Sequence, residues 1–540
     1  MTSASTIEPE TESPARHPGW ALVLICMAQM MVVLDGTIAN IALPYIGADL
    51  DISQANLSWI VTGYALTFGG FLLLGGRLAD LFGRRRIFMV GVLVFAAASL
   101  IGGTAQTEFV LLAARALQGT GAAMASPAAL ALITTTFAPG PARNRAFGVY
   151  AAMAGIGAAV GLLLGGWLTG MDHPFGIAGW RYTFLFVVPV GLLAAFFAPR
   201  VLPESDRHDG ELDVPGAVTA TAGLLAIVFG LTRAGEEAHG WTDTWTIVSL
   251  LAGAALIGVF MLIETRVEHP LLPFRVFNSK SRRVAFVVMM IVPGAMFAMF
   301  FFLSLFTQLV MGYSPLKTGV SFLPFSVGMI LSATTASKLI AKVDPRFLSG
   351  IGTLLAATAL FGFSRLSVPD DASGILSTVA GGGHLGQDVN YWTHVMPFIL
   401  LMAFGMGLNF VPLTLTALHN LRAEDSGIGS GVLNTMQQVG GALGLATLST
   451  VALHFASQRT AEIAPTLVAA AEKGHLPLTP DQLGGLAGLT GFAHGATTAF
   501  LVGSCMLLLA SSIVWLFLDV KHEDLAQDAQ EHPDAALHMG

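Results

Sequence analysis

Asp35 is the only charge in the apolar run from Trp20 to Pro44, which contains the stretch "MVVLDGTIANIALP". At about 1.5 Å per helical residue, such a run crosses a bilayer core of roughly 30 Å. An aspartate near the middle of a spanning helix costs about 2.5–3.5 kcal/mol. A second apolar run, "LLAARALQGTGAA" (Leu111 to Ala123), carries Arg115, with Gln118 one turn further on. Lipid cannot satisfy the N–H donors of a guanidinium, so Arg115 must face protein, water or an acid. Asp35 is the one comparably deep acid, so the two either meet directly or serve separate networks. Asp35 also has local options in Thr37 and Gln29. The chemistry open to a buried carboxylate is proton exchange: low dielectric favours its neutral form, and a nearby guanidinium opposes that.

The elements that hold these groups are membrane helices. The chain has 540 residues, 54% hydrophobic and only 11% charged. A soluble domain carries roughly 25% charged residues, which places this chain in the membrane class. Fourteen apolar runs of spanning length extend from 20–44 to 491–518. The short connections carry a bias of basic residues, roughly three to one, toward one side of the membrane. That side holds Arg84, Arg85, Arg86, Arg143, Arg145, Lys280, Arg282 and Arg283, and the other holds Arg181, Arg233, Lys317, Arg365, Arg459 and Lys473. The bias puts the N-terminus in the cytoplasm, and an even number of helices returns the C-terminus there. The connection 365–392 then falls outside, as does 456–490, where "APTLVAAAEKG" reads as short surface helices. The polar tail after Val520 reads as disordered.

Composition also excludes function classes. No basic face is left over for nucleic acid, and two cysteines, Cys26 and Cys505, are too few for a disulfide framework or metal cluster. A phosphate-binding G-x-x-x-x-G-K-[ST] loop is missing, which disfavours ATP-driven transport. The spans hold no cluster of acids, histidines or a nucleophile–base pair, which argues against an enzyme. His454 and His494 sit near span ends and read as structural.

Two further motifs shape the reading. "GGRLADLFGRRR" (Gly75 to Arg86) links the second and third spans. There Asp80 can accept from helix N-terminal N–H groups, or pair with Arg84 or Arg85. "GVYAAMAGIGAAVGLLLGG" (Gly148 to Gly166) places Gly157, Gly161 and Gly165 on one ridge of the fifth span, which lets another helix approach backbone to backbone. Gly427, Gly431, Gly440 and Gly444 repeat the theme in the thirteenth span.

Together these stretches resemble the major facilitator superfamily, and within it the fourteen-span drug:proton antiporters. That group includes QacA- and EmrB-type exporters, and the wording here is similar to the mycobacterial EfpA type. "LDGTIANIALP" resembles the group's first-helix signature. "GGRLADLFGRRR" resembles the cytoplasmic loop motif, with Gly76, Asp80, Gly83, Arg84 and Arg85 in matching places. "RALQGTG" resembles the fourth-helix motif, matching Arg115, Gln118 and Gly119, and the fifth-span glycines Gly157, Gly161, Gly165 and Gly166 sit where an antiporter motif is expected. Two departures stand out. Leu162 follows Gly161 where the motif has proline, and Leu81 follows Asp80 where a base is usual.

The resemblance implies an all-α membrane protein of two six-helix bundles with two intervening helices. The divisions are a cytoplasmic tail (1–19), an N-terminal bundle (20–200), a linker with two extra spans (201–283), a C-terminal bundle (284–518) and a cytoplasmic tail (519–540). It implies a monomeric, multi-pass transporter of the bacterial cytoplasmic membrane that needs no cofactor beyond the coupling proton. Its partners would be amphipathic small molecules and lipid. Asp35 and Arg115 would couple protons, and the loop motif would latch one conformation. Substrate would bind between the bundles near mid-membrane. Candidate walls are Met27, Met31, Tyr64, Phe68, Gln118, Phe300, Phe301, Asn409, Asn434, Gln437 and Gln438. The expected activity is proton-coupled efflux of drugs or antibiotics, with a dedicated lipid or single-metabolite exporter as the rival reading.

Overall fold

The computed structural model describes residues 18–137, 140–204, 212–236, 238–267, 270–421, 426–474 and 476–525. Residues 1–17 and 526–540, most of the two expected tails, lie outside the described residues. Among the described residues, fourteen helices are long and apolar enough to cross a membrane. They are α1 (Pro18–Leu50), α2 (Gln54–Phe82), α3 (Arg84–Gly103), α4 (Glu108–Thr136), α5 (Arg145–Thr169), α6 (Gly179–Val201) and α7 (Val214–Gly235). Then follow α8 (Thr244–Glu264), α9 (Lys280–Val310), α10 (Pro315–Leu339), α11 (Pro345–Phe363), α12 (Tyr391–Leu418), α13 (Gly427–Lys473) and α14 (Pro480–Phe517).

Their ends follow ordinary capping chemistry. Ser314 accepts from the Lys317 N–H to start α10, and Thr479 and Gln482 form a reciprocal capping box at α14. Gly83, at φ +99°, takes a left-handed turn between α2 and α3 that a side chain would strain. Asp243 caps α8 by accepting from the Trp245 and Thr246 N–H groups, and it pairs with Arg233 of α7 at 2.6 Å. The Arg233 hydrogen bond holds the Asp243 carboxyl down at about 2.

The packing repeats itself. Within the first six helices, α1 packs on α5 and α6, α2 on α4, and α3 on α4 and α6. Within the last six, α9 packs on α13 and α14, α10 on α12, and α11 on α12 and α14, which is the same scheme shifted by eight helices. The two bundles meet through α2 with α13, α5 with α10 and α1 with α9, while the α7–α8 hairpin leans on α2 and α13.

The seam is uneven. One apolar core fills the C-terminal bundle and continues across the seam into Ile41, Leu43, Ile46, Ile60, Leu162 and Trp180, near the Leu50 end of α1. Toward the Pro18 end, the N-terminal bundle has a separate core that includes Ile25, Phe88, Phe95, Leu132 and Val187. The bundles are thus fused on the Leu50 face.

The region after the thirteenth span differs from the sequence expectation. Residues up to Lys473 continue α13 as one helix of 47 residues, and no separate short surface helix forms around "APTLVAAAEKG". At about 1.5 Å per residue it far exceeds the hydrocarbon core. The extension is rich in strong helix formers, and Pro465 is tolerated because water can satisfy the carbonyl it frees. The C-terminal tail also begins ordered. His522 docks on Asp344 by its backbone N–H (2.9 Å) and its ring (2.6 Å).

Candidate functional site

Asp35 and Arg115 meet directly. Asp35 is 4% exposed and Arg115 is 1% exposed, and Arg115 Nη1 lies 2.5 Å from Asp35 Oδ2. Gln118 joins both, since its Oε1 accepts from Arg115 Nη1 at 2.9 Å and its Nε2 donates to Asp35 Oδ1 at 2.8 Å. The same Nε2 also donates to Ser99 Oγ at 2.8 Å, and Arg115 Nε donates to the Ile60 carbonyl at 2.7 Å. The guanidinium rests 4.5 Å from the Tyr64 ring centre, and Phe68 and Phe95 pack on that ring. Helices α1 to α4 each contribute to this network, which lies inside the N-terminal bundle. The local options for Asp35 are otherwise engaged: Thr37 donates to the Val33 and Leu34 carbonyls, and Gln29 accepts from Tyr150.

Arg115 and Gln118 share a face of α4 because they are three residues apart. Gly119, on the following residue, lets α4 close on the Tyr64–Phe68 stretch of α2, where a Cβ would strike backbone. In this conformation the carboxylate has both oxygens bonded and is almost fully buried. Chemically the group is one acid and one base in direct contact, with Gln118 bridging them; the remaining polar partners of Arg115 are neutral.

The glycine ridge of α5 faces α1. A Cβ on Gly157 would sit against Val33, one on Gly161 against Leu34 and Thr37, and one on Gly165 against Ile38. Gly166 instead faces the other bundle, with Pro315 and Leu316 of α10 against it. Leu162, standing where the motif has proline, is 2% exposed in the core that crosses the seam, and its carbonyl lies against Gly319. Two of the four thirteenth-span glycines repeat this role, Gly440 and Gly444 admitting the Met290–Gly294 backbone of α9, whereas Gly431 meets the Leu73 side chain of α2 and Gly427 meets open space.

The loop motif forms its cluster within one bundle. Asp80 lies 3.6 Å from Arg84, Arg84 donates to the Ala131 carbonyl of α4, and Arg85 pairs with Glu204 at 2.9 Å. Arg85 also donates to the Leu202 carbonyl at 3.1 Å, so the motif ties α3 to the ends of α4 and α6. Gly76 lies against Pro127 of α4. Glu204 escaped the sequence reading; its signal was that it is the first acid after the sixth span.

The candidate wall residues scatter. Met31, Tyr64, Phe68, Phe301 and Asn409 are buried. Met31 faces α6 at Gly191, and Asn409 donates to Thr353 at 2.7 Å inside the C-terminal bundle. Phe301 borders a cavity of about 30 Å³ beside Ser449 and Phe492. Phe300 stacks on Phe322 at 5.3 Å. Met27 is half-buried against the N-terminal core. On α13, Asn434 is exposed, Gln437 reaches Met289 Sδ at 3.7 Å, and Gln438 packs over Gly69 of α2.

A contact across the seam was also missed. Pro44 lies inside α1, and a proline has no N–H to give to the carbonyl four residues earlier, that of Asn40. Ser304 of α9 supplies the bond instead, donating from Oγ to Asn40 O at 3.0 Å. Gln308 adds a second, from Nε2 to Ile41 O at 3.2 Å. The lone amide of Gln308 in an apolar run was the available signal.

Two repeated bundles around a seam closed on one face, with an ion pair buried in one bundle, define a membrane transporter of the alternating-access type. The chain belongs to the Major Facilitator Superfamily, whose family model matches residues 25–445. It is 39% identical over 516 residues to the puromycin resistance protein pur8 of Streptomyces alboniger, covering 95% of this chain and 93% of that protein. It is 37% identical over 456 residues to the uncharacterized MFS-type transporter EfpA of Mycobacterium tuberculosis, covering 82% and 80%. The cephamycin export protein CmcT of Amycolatopsis lactamdurans is 38% identical over 449 residues, covering 82% and 87%. Among solved structures, a bacterial homolog of the human lysosomal transporter Spinster matches with a TM-score of 0.65 at 16% identity, covering 95% of this chain and 99% of that one. At that identity the likeness is one of fold.

Proposed function

We propose that this chain is a proton-coupled exporter of amphipathic drug-like compounds, working by alternating access in a bacterial cytoplasmic membrane. Both termini face the cytoplasm in this reading, so the fused Leu50 face is the outer one. The observation that carries it is the Asp35–Arg115–Gln118 network, a charge pair sealed inside membrane helices. Burying such a pair is weak support for stability, because desolvation offsets most of the attraction. Its value lies in switching. A proton on Asp35 removes one charge, releases Arg115 and Gln118, and changes how α1 and α4 pack.

Because α1 also carries the Asn40 and Ile41 carbonyls that accept from α9, movement of α1 loosens the outer seam. Asp80, Arg84 and Arg85 keep the inner end of the N-terminal bundle rigid as it rocks. Substrate enters between the bundles from the cytoplasmic side, near exposed Asn434 of α13, with Gln437 reaching α9 and Gln438 packing over α2. Relatives named for puromycin resistance and cephamycin export support antibiotics as cargo.

The test uses proteoliposomes with an imposed pH gradient and a panel of unrelated amphipathic compounds. Uphill movement of several, each with counter-movement of protons, is expected. Transport of one compound alone would make the protein a dedicated exporter, and transport indifferent to the gradient would remove the proton from the mechanism.

A further inference from the structure

A pocket of about 630 Å³ opens on the Leu50 face, away from the Asp35 network, and its walls come from both bundles. Tyr45 and Asp49 of α1, Trp167 and Thr169 of α5 and Trp180 of α6 form one side, and the first turn of α10 forms the other. Gly166 brings the two sides together: a Cβ there would lie 2.6 Å from the Pro315 carbonyl oxygen. The size falls in the range of about 300–1,000 Å³ that suits drug-sized ligands.

The charges around the pocket select a sign. Its charged lining is Asp49 and Asp172, with His173 beside them and no lysine or arginine. Asp49 Oδ2 already binds Arg181 Nη2 and Trp180 Nε1, both at 3.0 Å, and Arg181 Cζ lies 4.4 Å from the Trp180 ring centre. Lys317, one turn into α10, sits 3.6 Å from the Tyr313 ring centre. The lining acid not paired with a lysine or arginine is therefore Asp172, which has His173 beside it at 3.1 Å. Aromatic faces beside an acid attract a cation carried on an apolar body. Thr169, almost fully buried on the same wall, has a hydroxyl with no hydrogen-bond partner.

We propose that this pocket is a second small-molecule site, for an amphipathic organic cation. Because α10 supplies one wall, the pocket changes shape whenever the bundles move, so occupancy biases the closed outer seam. Its assignment as the last station on the way out rests on the exporter reading; binding itself does not.

The test is titration of the full-length protein in lipid nanodiscs with tetraphenylphosphonium, following Trp167 fluorescence as the difference between wild type and Trp167→Leu. Quenching of that component is expected, with tetraphenylborate, the size-matched anion, giving at least tenfold weaker quenching. Asp172→Asn, at a fully exposed position that leaves folding intact, should raise the midpoint about threefold, and Asp172→Asn with Tyr45→Leu about tenfold. An unquenched Trp167, equal response to the anion, or a double variant that titrates like wild type would overturn the site. If the pH-gradient assay shows no export while Trp167 quenches as described, the exporter reading falls and the site stands. Gradient-driven export with an unquenched Trp167 means the reverse.

Discussion

Asp35→Asn perturbs the site with almost no change in shape, and the structure sets the size of its effect. In the native network Oδ2 takes the 2.5 Å contact from Arg115 and Oδ1 takes the 2.8 Å bond from Gln118. Asparagine has one acceptor oxygen, so with that oxygen on Arg115 its NH₂ confronts the NH₂ of Gln118. Gln118 cannot flip freely, because its Oε1 accepts from Arg115 and its Nε2 donates to Ser99. Arg115 keeps the Ile60 carbonyl, Gln118 and the Tyr64 face, but loses its counter-charge while 1% exposed. Removing one member of a buried pair costs about 3–5 kcal/mol, and the retained neutral partners favour the lower figure, about 3. Adding Arg115→Met removes the stranded charge and should restore most of that loss. A double-mutant cycle should then give a coupling energy of about 2 kcal/mol or more. The assays are reversible unfolding in mixed micelles and pH-gradient-driven export from the same preparations. The single variant is expected to fold with reduced stability and fail to export. The double variant should regain stability and still fail. Uphill export by either variant would remove Asp35 from the coupling step, and a coupling energy near zero would refute the pairing itself.

Three further tests address other parts of the molecule. Leu162→Pro deletes a backbone donor in mid-α5 and a side chain 2% exposed, so a loss of at least about 3 kcal/mol is expected by chemical unfolding; unchanged stability would mean that α5 is already bent there. Ser304→Ala with Gln308→Leu leaves the Asn40 carbonyl freed by Pro44 without its donor, and should raise cysteine labelling at the Leu50 face, with no change if the seam is held by apolar contact alone. At Asp243 the carboxyl lies below its ordinary 3.8, at about 2, so its contribution to stability is complete above 3.8 and is lost as pH falls through 2. Asp243→Asn should therefore lower the melting temperature at neutral pH, with the gap closing between those two values; a constant gap would mean the effect is not electrostatic.

How much was readable in advance depended on whether lipid or a partner helix set the constraint. Asp35 and Arg115 were singled out because a bilayer leaves a charge few options, while the sequence left open whether the two meet or serve separate networks. Hydropathy likewise gave the fourteen spans, since length and apolarity alone decide who crosses. The far ends were less legible: past the headgroups water satisfies the backbone either way, and nothing in "APTLVAAAEKG" says whether the helix stops or runs on to Lys473. The choice among Met31, Phe68 and Phe301 as wall residues failed to resolve for a different reason, because methionines and aromatics pack equally well inside a bundle or at its seam.

Pro44 and Ser304 mark the boundary most clearly. Each is ordinary in its own helix, and the hydrogen bond joins residues 264 apart in sequence. A proline frees a carbonyl wherever it sits in a helix, but only the folded seam decides which side chain answers it. The seam is also what must open and close, and a bond of about 1 kcal/mol, made from a side chain to a carbonyl that has lost its helical donor, suits that demand. It is strong enough to favour the closed face and weak enough to be broken at little cost. Asp35 and Asn40 lie little more than one turn apart on α1, so in the proposed mechanism the helix that would take the proton is also the one that carries the seam bond.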